Sequence, residues 1–245
     1  MKIYCFALCY NEEVLLPHFL NHYSSFCDKI FIYDDKSTDS SREIIKGYDK
    51  AVLIDYPFND KINDDEFIKV KNECWKQYRN ECDYAIVVDI DEFLYHENIL
   101  KFISDNKQYN VFVPEGYEMV GNKIPDVEPI IYKQFPRGLR NNPYDKACLF
   151  NVKEVEEINY AHGCHEAHPK GNIKKLKNNP NLKLLHYKYI DCQYNIDRCA
   201  MKRERHSELC KKMGWGGYIY HSEQTMKDIW GHYWENSKEV ISEGK

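Results

Sequence analysis

The chain has 245 residues, 43% of them hydrophobic and 14% aromatic, which is enough for one large globular core and excludes disorder for its bulk. Its 34 Lys and Arg against 39 Asp and Glu leave a net charge of −5, so it is not a general nucleic-acid binder and any handling of phosphate has to be local. No apolar run approaches the roughly 20 residues that cross a bilayer, and the 10 cysteines are scattered without a CxxC pair, so a reduced, cytoplasmic setting is expected and a zinc ribbon is not.

In chain order, residues 3–9, 29–33, 51–56 and 84–90 form short, almost continuously apolar runs, as strands covered on both faces do. Amphipathic stretches over 13–26, 40–48 and 64–82 lie between them; the second opens at the capping residues Thr38 and Asp39 and stops at Gly47. This alternation is the pattern of repeated βαβ units and predicts a mostly parallel sheet with helices on both faces. Beyond Asp91 the spacing predicts a helix near 98–105 and a strand at 111–113. A stretch punctuated by Pro and Gly then runs to about residue 144, and His-rich strands and loops occupy 145–190. Residues 193–213 read as a strongly basic helix carrying Arg198, Lys202, Arg203, Arg205, Lys211 and Lys212. The last segment holds Trp215, Trp230 and Trp234 with Tyr218, Tyr220 and Tyr233, and a C-terminal helix packed on the domain is expected; an acceptor platform, a partner surface or a membrane-touching segment are the alternatives. With no repeat and no linker, a single domain is expected.

In an open α/β sheet, ligands bind beyond the carboxyl ends of the strands. The segments there are Tyr10-Asn11-Glu12-Glu13, Asp34-Asp35-Lys36-Ser37-Thr38-Asp39 and Asp89-Ile90-Asp91-Glu92. Single carboxylates at such turns cap helices, and Glu13 and Asp39 are read that way, but three clusters at one edge point to a site. Neither GxGxxG nor GxxxxGK[ST] follows the first strand, so a bound diphosphate would need a cation to neutralise it. On an extended strand, residues i and i+2 point to one side with Cα atoms roughly 6–7 Å apart, which lets Asp89 and Asp91 share an ion. Oxygen ligands of this kind select Mg²⁺ or Mn²⁺.

Through these segments, together with Lys71-Asn72, Asp89-Ile90-Asp91-Glu92-Phe93-Leu94 and His186-Tyr187-Lys188, the chain resembles the family 2 glycosyltransferases of the GT-A fold, in the branch with an Asp-x-Asp-Glu-Phe motif. The matching segments run in the same order over about residues 3–205. The resemblance implies a GT-A (Rossmann-like) α/β domain over 1–213, with a nucleotide-binding half (1–95) and an acceptor-binding half (96–213), followed by a C-terminal aromatic helical extension (214–245). It implies metal-dependent transfer of a sugar from a nucleotide-sugar donor, most often a UDP-sugar, to a glycan, lipid-linked or protein acceptor, with inversion. Carried over by position, Asn11, Glu12 and Asp35 resemble the residues lining the nucleoside pocket, with Asp34 beside them, and Lys71 stands where many relatives have Arg. Asp91 resembles the direct metal ligand, Asp89 the residue touching ribose or a metal-bound water, and His186 the histidine completing the metal site. Lys188 or the basic helix adds charge for the leaving diphosphate.

Inverting transfer needs a general base within hydrogen-bond reach of the acceptor hydroxyl. The candidate segment is 160–168, with Glu166 as first choice and His165 as second. His162, His165 and His168 at three-residue spacing also admit a zinc cluster, against which Gly163 and Pro169 argue by breaking a helix. Two rival functions remain. A sugar nucleotidyltransferase would commonly use a glycine-rich N-terminal loop, which this chain lacks; a non-catalytic glycan-binding relative would not need Asp89, Asp91 and His186. Peripheral membrane contact through the C-terminal segment is left open.

Overall fold

A computed structural model of the chain describes residues 1–56 and 61–242. The first half alternates strand and helix through β1 (Ile3–Cys9), α1 (Leu16–Ser24), β2 (Lys29–Asp34), α2 (Ser41–Lys46), β3 (Ala51–Asp55), α3 (Asp64–Glu73) and β4 (Tyr84–Val87). Next come β5 (Glu92–Tyr95), α4 (Ile99–Asp105), β6 (Val111–Phe112), β7 (Glu115–Val120), α5 (Ile131–Gln134) and β8 (Arg137–Arg140). Short strands β9 (Leu149–Asn151), β10 (Val155–Glu157), β11 (Lys170–Gly171) and β12 (Lys175–Leu176) lead to β13 (Lys183–Tyr189). The chain closes with α6 (Cys192–Arg205), α7 (Glu208–Met213), α8 (Glu223–Asn236) and β14 (Lys238–Glu239).

Seven strands form the main sheet in the order β12-β6-β9-β4-β1-β2-β3. β1 pairs in parallel with β2 and β4, β2 with β3, and β9 runs antiparallel to β4 and β6. The continuous apolar run of β1 follows from burial on both faces. Ile3, Cys5, Ala7 and Cys9 pack under α1 against Leu16, Phe19 and Leu20, whereas Tyr4 and Phe6 enter a second core with Phe31 and Trp75. Phe6 stacks on Phe31 at 5.1 Å, and Trp75 is fully buried. Truncating a buried aromatic of this kind to Ala costs about 3–5 kcal/mol. α3 is opened by Asn63, whose side chain accepts from the Asp65 N–H at 3.1 Å.

A second sheet has the order β14-β8-β7-β13-β5. β13 lies between parallel β7 and antiparallel β5, in a register that sets His186 opposite both Glu118 and Glu92.

Three expectations change. The strand expected over 84–90 ends at Val87; Val88 still donates to Phe6, but the chain then turns, closed by a 3.0 Å bond from the Glu92 N–H to the Asp89 carbonyl, so Asp89 and Asp91 lie in a turn, not on an extended strand. The helix expected over 64–82 stops at Glu73 and is followed by a 3-10 turn at Lys76–Tyr78. The basic helix breaks at His206, because Ser207 caps α7 by accepting from the Cys210 N–H at 3.2 Å, and Gly214, at φ +71°, ends it. The C-terminal helix packs on the second sheet. Trp230 donates to the Gly121 carbonyl at 3.1 Å, and Tyr233 stacks on Tyr189 at 4.8 Å. The extension's last residues, 243–245, lie outside the described residues. No helix among the described residues is long and apolar enough to cross a membrane. All 10 cysteines are free thiols, nine of them buried and Cys192 partly exposed.

Candidate active site

A cleft of about 570 Å³ opens beyond the carboxyl ends of β1, β2 and β4. Its other walls are the 162–165 turn, α6 and residues 215–219. The βα loops are held in place by residues that do not line it. Asn11, at φ +51°, accepts from the Thr38 N–H at 2.7 Å and donates its amide to the Thr38 hydroxyl at 3.2 Å, tying the loop after β1 to the loop after β2. Buried Asp34 accepts from Arg42 at 2.5 Å and from the Ser37 N–H at 3.2 Å. Asp39 accepts from the Ser41 N–H at 2.9 Å and Glu13 from the Ser40 N–H at 3.0 Å, both at the start of α2. The other expected site residues, Glu166 apart, reach the cleft: Glu12, Asp35, Lys71, Asp89, Asp91, His165, His186 and Lys188 all line it.

The two carboxylates of the motif meet different partners. Asp89 accepts from Lys71 at 2.5 Å, with Lys146 at 3.7 Å. Burial opposes its ionisation, but these two ammonium groups hold its pKa down at about 2. Lys71 therefore faces a carboxylate. Lys146 also pairs with buried Glu92, whose other oxygen accepts from the Asp89 N–H at 3.0 Å and so braces the turn.

Asp91 instead faces the second half of the chain. Its Oδ2 lies 3.0 Å from Arg198 Nη1 and 3.6 Å from His186 Nε2. Burial works against the charge, and His186 and Arg198 overcome it, holding Asp91 well below the usual carboxylate range. Behind His186, Glu118 accepts from Nδ1 at 2.8 Å. Burial would lower the histidine pKa, but Glu118 and Asp91 raise it to about 10. Arg198 also pairs with Glu12, whose carboxyl is pushed up by burial against the pull of Arg198.

Asp91 and His186 with Glu118 behind form a carboxylate–histidine arrangement that suits one divalent cation: the hydrogen bond at Nδ1 orients the ring so that Nε2 faces Asp91. Asp89, by contrast, is paired with Lys71 and Lys146, and among the described residues no three His, Cys, Asp or Glu side chains converge as a ready cluster.

At the other end of the cleft, Asp35 accepts from Arg205 at 2.5 Å, and the Arg205 guanidinium lies 3.5 Å from the centre of the Tyr10 ring. Burial raises the Asp35 pKa against the pull of Arg205. Leu8 and Ile68 give this end apolar walls. Lys188 sits 3.9 Å over the Tyr218 ring.

In the 160–168 segment, Gly163 at φ +74° and Cys164 at φ +56° reverse the chain and decide which side chains face inward. His165 lines the cleft, and its Nδ1 bonds the Pro143 carbonyl at 2.8 Å. A carbonyl only accepts, so Nδ1 carries the proton and Nε2 is the basic nitrogen. Burial and Lys146 lower the His165 pKa, which keeps the ring neutral. The Glu166 side chain is 75% exposed, lies 3.8 Å from His168 and does not line the cleft. His162 also lines the cleft but is engaged by Asp65 at 2.8 Å and by Trp215, on which it stacks at 3.9 Å, and His168 lies outside it, so the three histidines do not converge.

Sequence reasoning missed Glu118 and Lys146 and left Arg198 as one of several basic residues. A lone ionisable side chain inside an apolar strand pattern, Glu118 before Met119-Val120 and Lys146 before Ala147-Cys148-Leu149, is the available signal.

The model of one protein family, Glycosyltransferase family 92, matches residues 2–240. Among curated proteins there is no match. Among solved structures, S. aureus TarS is similar over 96% of this chain and 43% of its own, at 14% identity and a TM-score of 0.50. Glucosyl-3-phosphoglycerate synthase from Mycobacterium tuberculosis, in complex with Mn²⁺, UDP and glucosyl-3-phosphoglycerate, matches 48% of this chain and 44% of its own, at 12% identity and a TM-score of 0.31. The chain thus spans less than half the length of the TarS chain, and the likeness to TarS is one of fold, the mixed α/β GT-A arrangement.

Proposed function

This chain belongs to glycosyltransferase family 92, and from that premise we propose that it moves a sugar from a nucleotide-sugar donor, a UDP-sugar, to an acceptor hydroxyl with a divalent cation and inversion at the anomeric carbon. The motif resemblance named the family 2 branch; the matched family is 92, and both are glycosyltransferase families. The observation that carries the reading is the juxtaposition, in one cleft, of Asp91 and His186 with the cationic side chains of Lys188, Arg198 and Lys202.

Asp91 and His186 would hold Mn²⁺ or Mg²⁺, with Glu118 orienting the imidazole; when bound, the ion supplies neutralisation of the charge that grows on the leaving diphosphate. Arg198, Lys188 and Lys202 face the same space and add fixed positive charge, which acts strongly where water is excluded. Tyr10, Asp35 and Arg205 form the nucleoside end, with a ring face for stacking and a carboxylate for a ribose or base hydrogen bond. Asp89, held by Lys71 and Lys146, shapes the turn that presents Asp91. His165 takes the acceptor proton on Nε2 as the hydroxyl oxygen attacks, while Nδ1–H on the Pro143 carbonyl keeps the tautomer fixed. Glu166, the first choice from sequence, lies on the outer side of the same turn. The acceptor is a glycan, lipid-linked or protein hydroxyl, and the setting is cytoplasmic.

Release of UDP from a panel of UDP-sugars with Mn²⁺ tests the proposal. Asp91→Ala should abolish Mn²⁺-dependent donor binding and turnover together. Undiminished turnover in excess EDTA would reject the metal, and no release from any nucleotide sugar, with or without acceptor glycans, would reject the activity.

A further inference from the structure

Arg198 occupies an unusual position for a residue expected to bind a phosphate. It is 7% exposed, reaches from α6 across the cleft, and forks between two acids of the first half, with Nη1 3.0 Å from Asp91 Oδ2 and Nη2 on Glu12. The same Asp91 oxygen faces His186. A guanidinium cannot give up its charge, and a divalent ion on that oxygen would meet it at close range in a poorly hydrated site. Arg198 and the ion therefore compete for Asp91.

The fork is also incompletely satisfied: Arg198 Nε and Glu12 Oε2 are buried without a hydrogen-bond partner. A diphosphate offers an arginine several anionic acceptors in bidentate geometry, more than Asp91 alone provides. Glu12 can keep Nη2 while Nη1 changes partner.

We propose that Arg198 is the resident counter-ion of the cation site, a positioning residue that releases Asp91 to the divalent ion when the nucleotide's diphosphate arrives, so that ion and nucleotide each tighten the other's binding. The inference rests on the metal-dependent reading above and adds an order to it: the free protein binds the ion weakly and the nucleotide-loaded protein binds it well. Linkage makes the effect reciprocal, so the ion must strengthen nucleotide binding by the same factor.

Mn²⁺ binding to the full chain, read from the EPR signal of free Mn²⁺ with and without UDP, tests it in wild type, Arg198→Gln and Arg198→Lys. In wild type UDP should tighten Mn²⁺ binding by about tenfold or more, and Arg198→Gln should bind Mn²⁺ without UDP about tenfold more tightly than wild type. Arg198→Lys keeps the charge and should stay near wild type. A Gln variant whose nucleotide-free Mn²⁺ affinity equals or falls below that of wild type overturns the proposal. Should that variant fail to unfold cooperatively, wild type decides alone, because an Mn²⁺ affinity indifferent to UDP also overturns it. Wild type that binds no Mn²⁺ even with UDP fails the metal reading itself. If UDP then binds in EDTA and is lost in Arg198→Gln, Arg198 replaces the ion permanently and does not yield to it.

Discussion

The two halves of the chain face each other across the cleft with opposite charge. From residues 1–95 the lining carries six acids, Glu12, Asp35, Asp64, Asp89, Asp91 and Glu92, and one cation, Lys71. From residue 96 onward it carries five cations, Lys146, Lys188, Arg198, Lys202 and Arg205, and four histidines, but no acid. The net charge of −5 therefore says little about the site, where six acids meet six Lys or Arg side chains. Buried charges are tolerated only when paired, so each half supplies the counter-ions that the other needs. A nucleotide diphosphate with its cation adds both signs at once, which suits a cleft that is already balanced.

The comparison breaks first at Asp91, the acid that meets two cations of the other half. Asp91→Asn should lower transfer by about 10³-fold and abolish Mn²⁺-dependent UDP binding, whereas Asp89→Asn, facing Lys71 and Lys146, should keep that binding. Equal loss in both, measured by UDP release and calorimetry, would erase the distinction between the two carboxylates. Next, His165→Ala should lower kcat by about 10²-fold or more with donor affinity retained. Glu166→Gln should stay within about twofold, as exposed substitutions generally do. Loss of kcat in the Glu166 variant alone would move the base to the outer side of the turn.

Two buried histidines, one in each half, sharpen the contrast through pH. Burial pushes the His22 pKa down to about 4. The unfolded chain then binds more protons below pH 6.5, and stability falls by about 3 kcal/mol as pH drops from 6.5 toward 4. His186 has the opposite sign. Burial opposes its charge, but Glu118 and Asp91 raise its pKa to about 10, so in the metal-free protein its contribution is full below about pH 6.5 and is lost as pH rises through 10. Urea midpoints across pH should show both limbs, with His22→Gln flattening the acid limb and His186→Asn the basic one; a basic limb unchanged in His186→Asn would contradict the charged imidazole. The smallest effect is at Asn11. Asn11→Ala removes both bonds to Thr38 at a left-handed backbone position and should cost about 1–2 kcal/mol of stability, with nucleotide affinity little changed.

The main sheet was legible because β1, β2 and β4 are buried on both faces and so read as continuous apolar runs between amphipathic helices. The second sheet was not: its strands come from residues 92–239 and, apart from β7 with β8, pair with strands that are not their neighbours in the chain. The site divides in the same way. Asp89, Asp91 and His186 stand out by pattern and resemblance, but Glu118 becomes the partner of His186 only through the register of β7 on β13. Likewise, the choice between His165 and Glu166 is made by two left-handed residues, Gly163 and Cys164, whose effect on side-chain direction no spacing rule reveals.

Of the 10 free thiols, only Cys192 is not buried, and it lies at the first turn of α6, the helix that carries Arg198. It packs partly against the cluster of Ile196 and Cys199, and burial and Asp191 raise its pKa. At alkaline pH a thiol-reactive fluorophore therefore has one partly exposed address, six positions before the residue whose change of partner matters. The protein thus carries its own reporter: one native attachment point from which the arrival of nucleotide and ion can be timed separately by light.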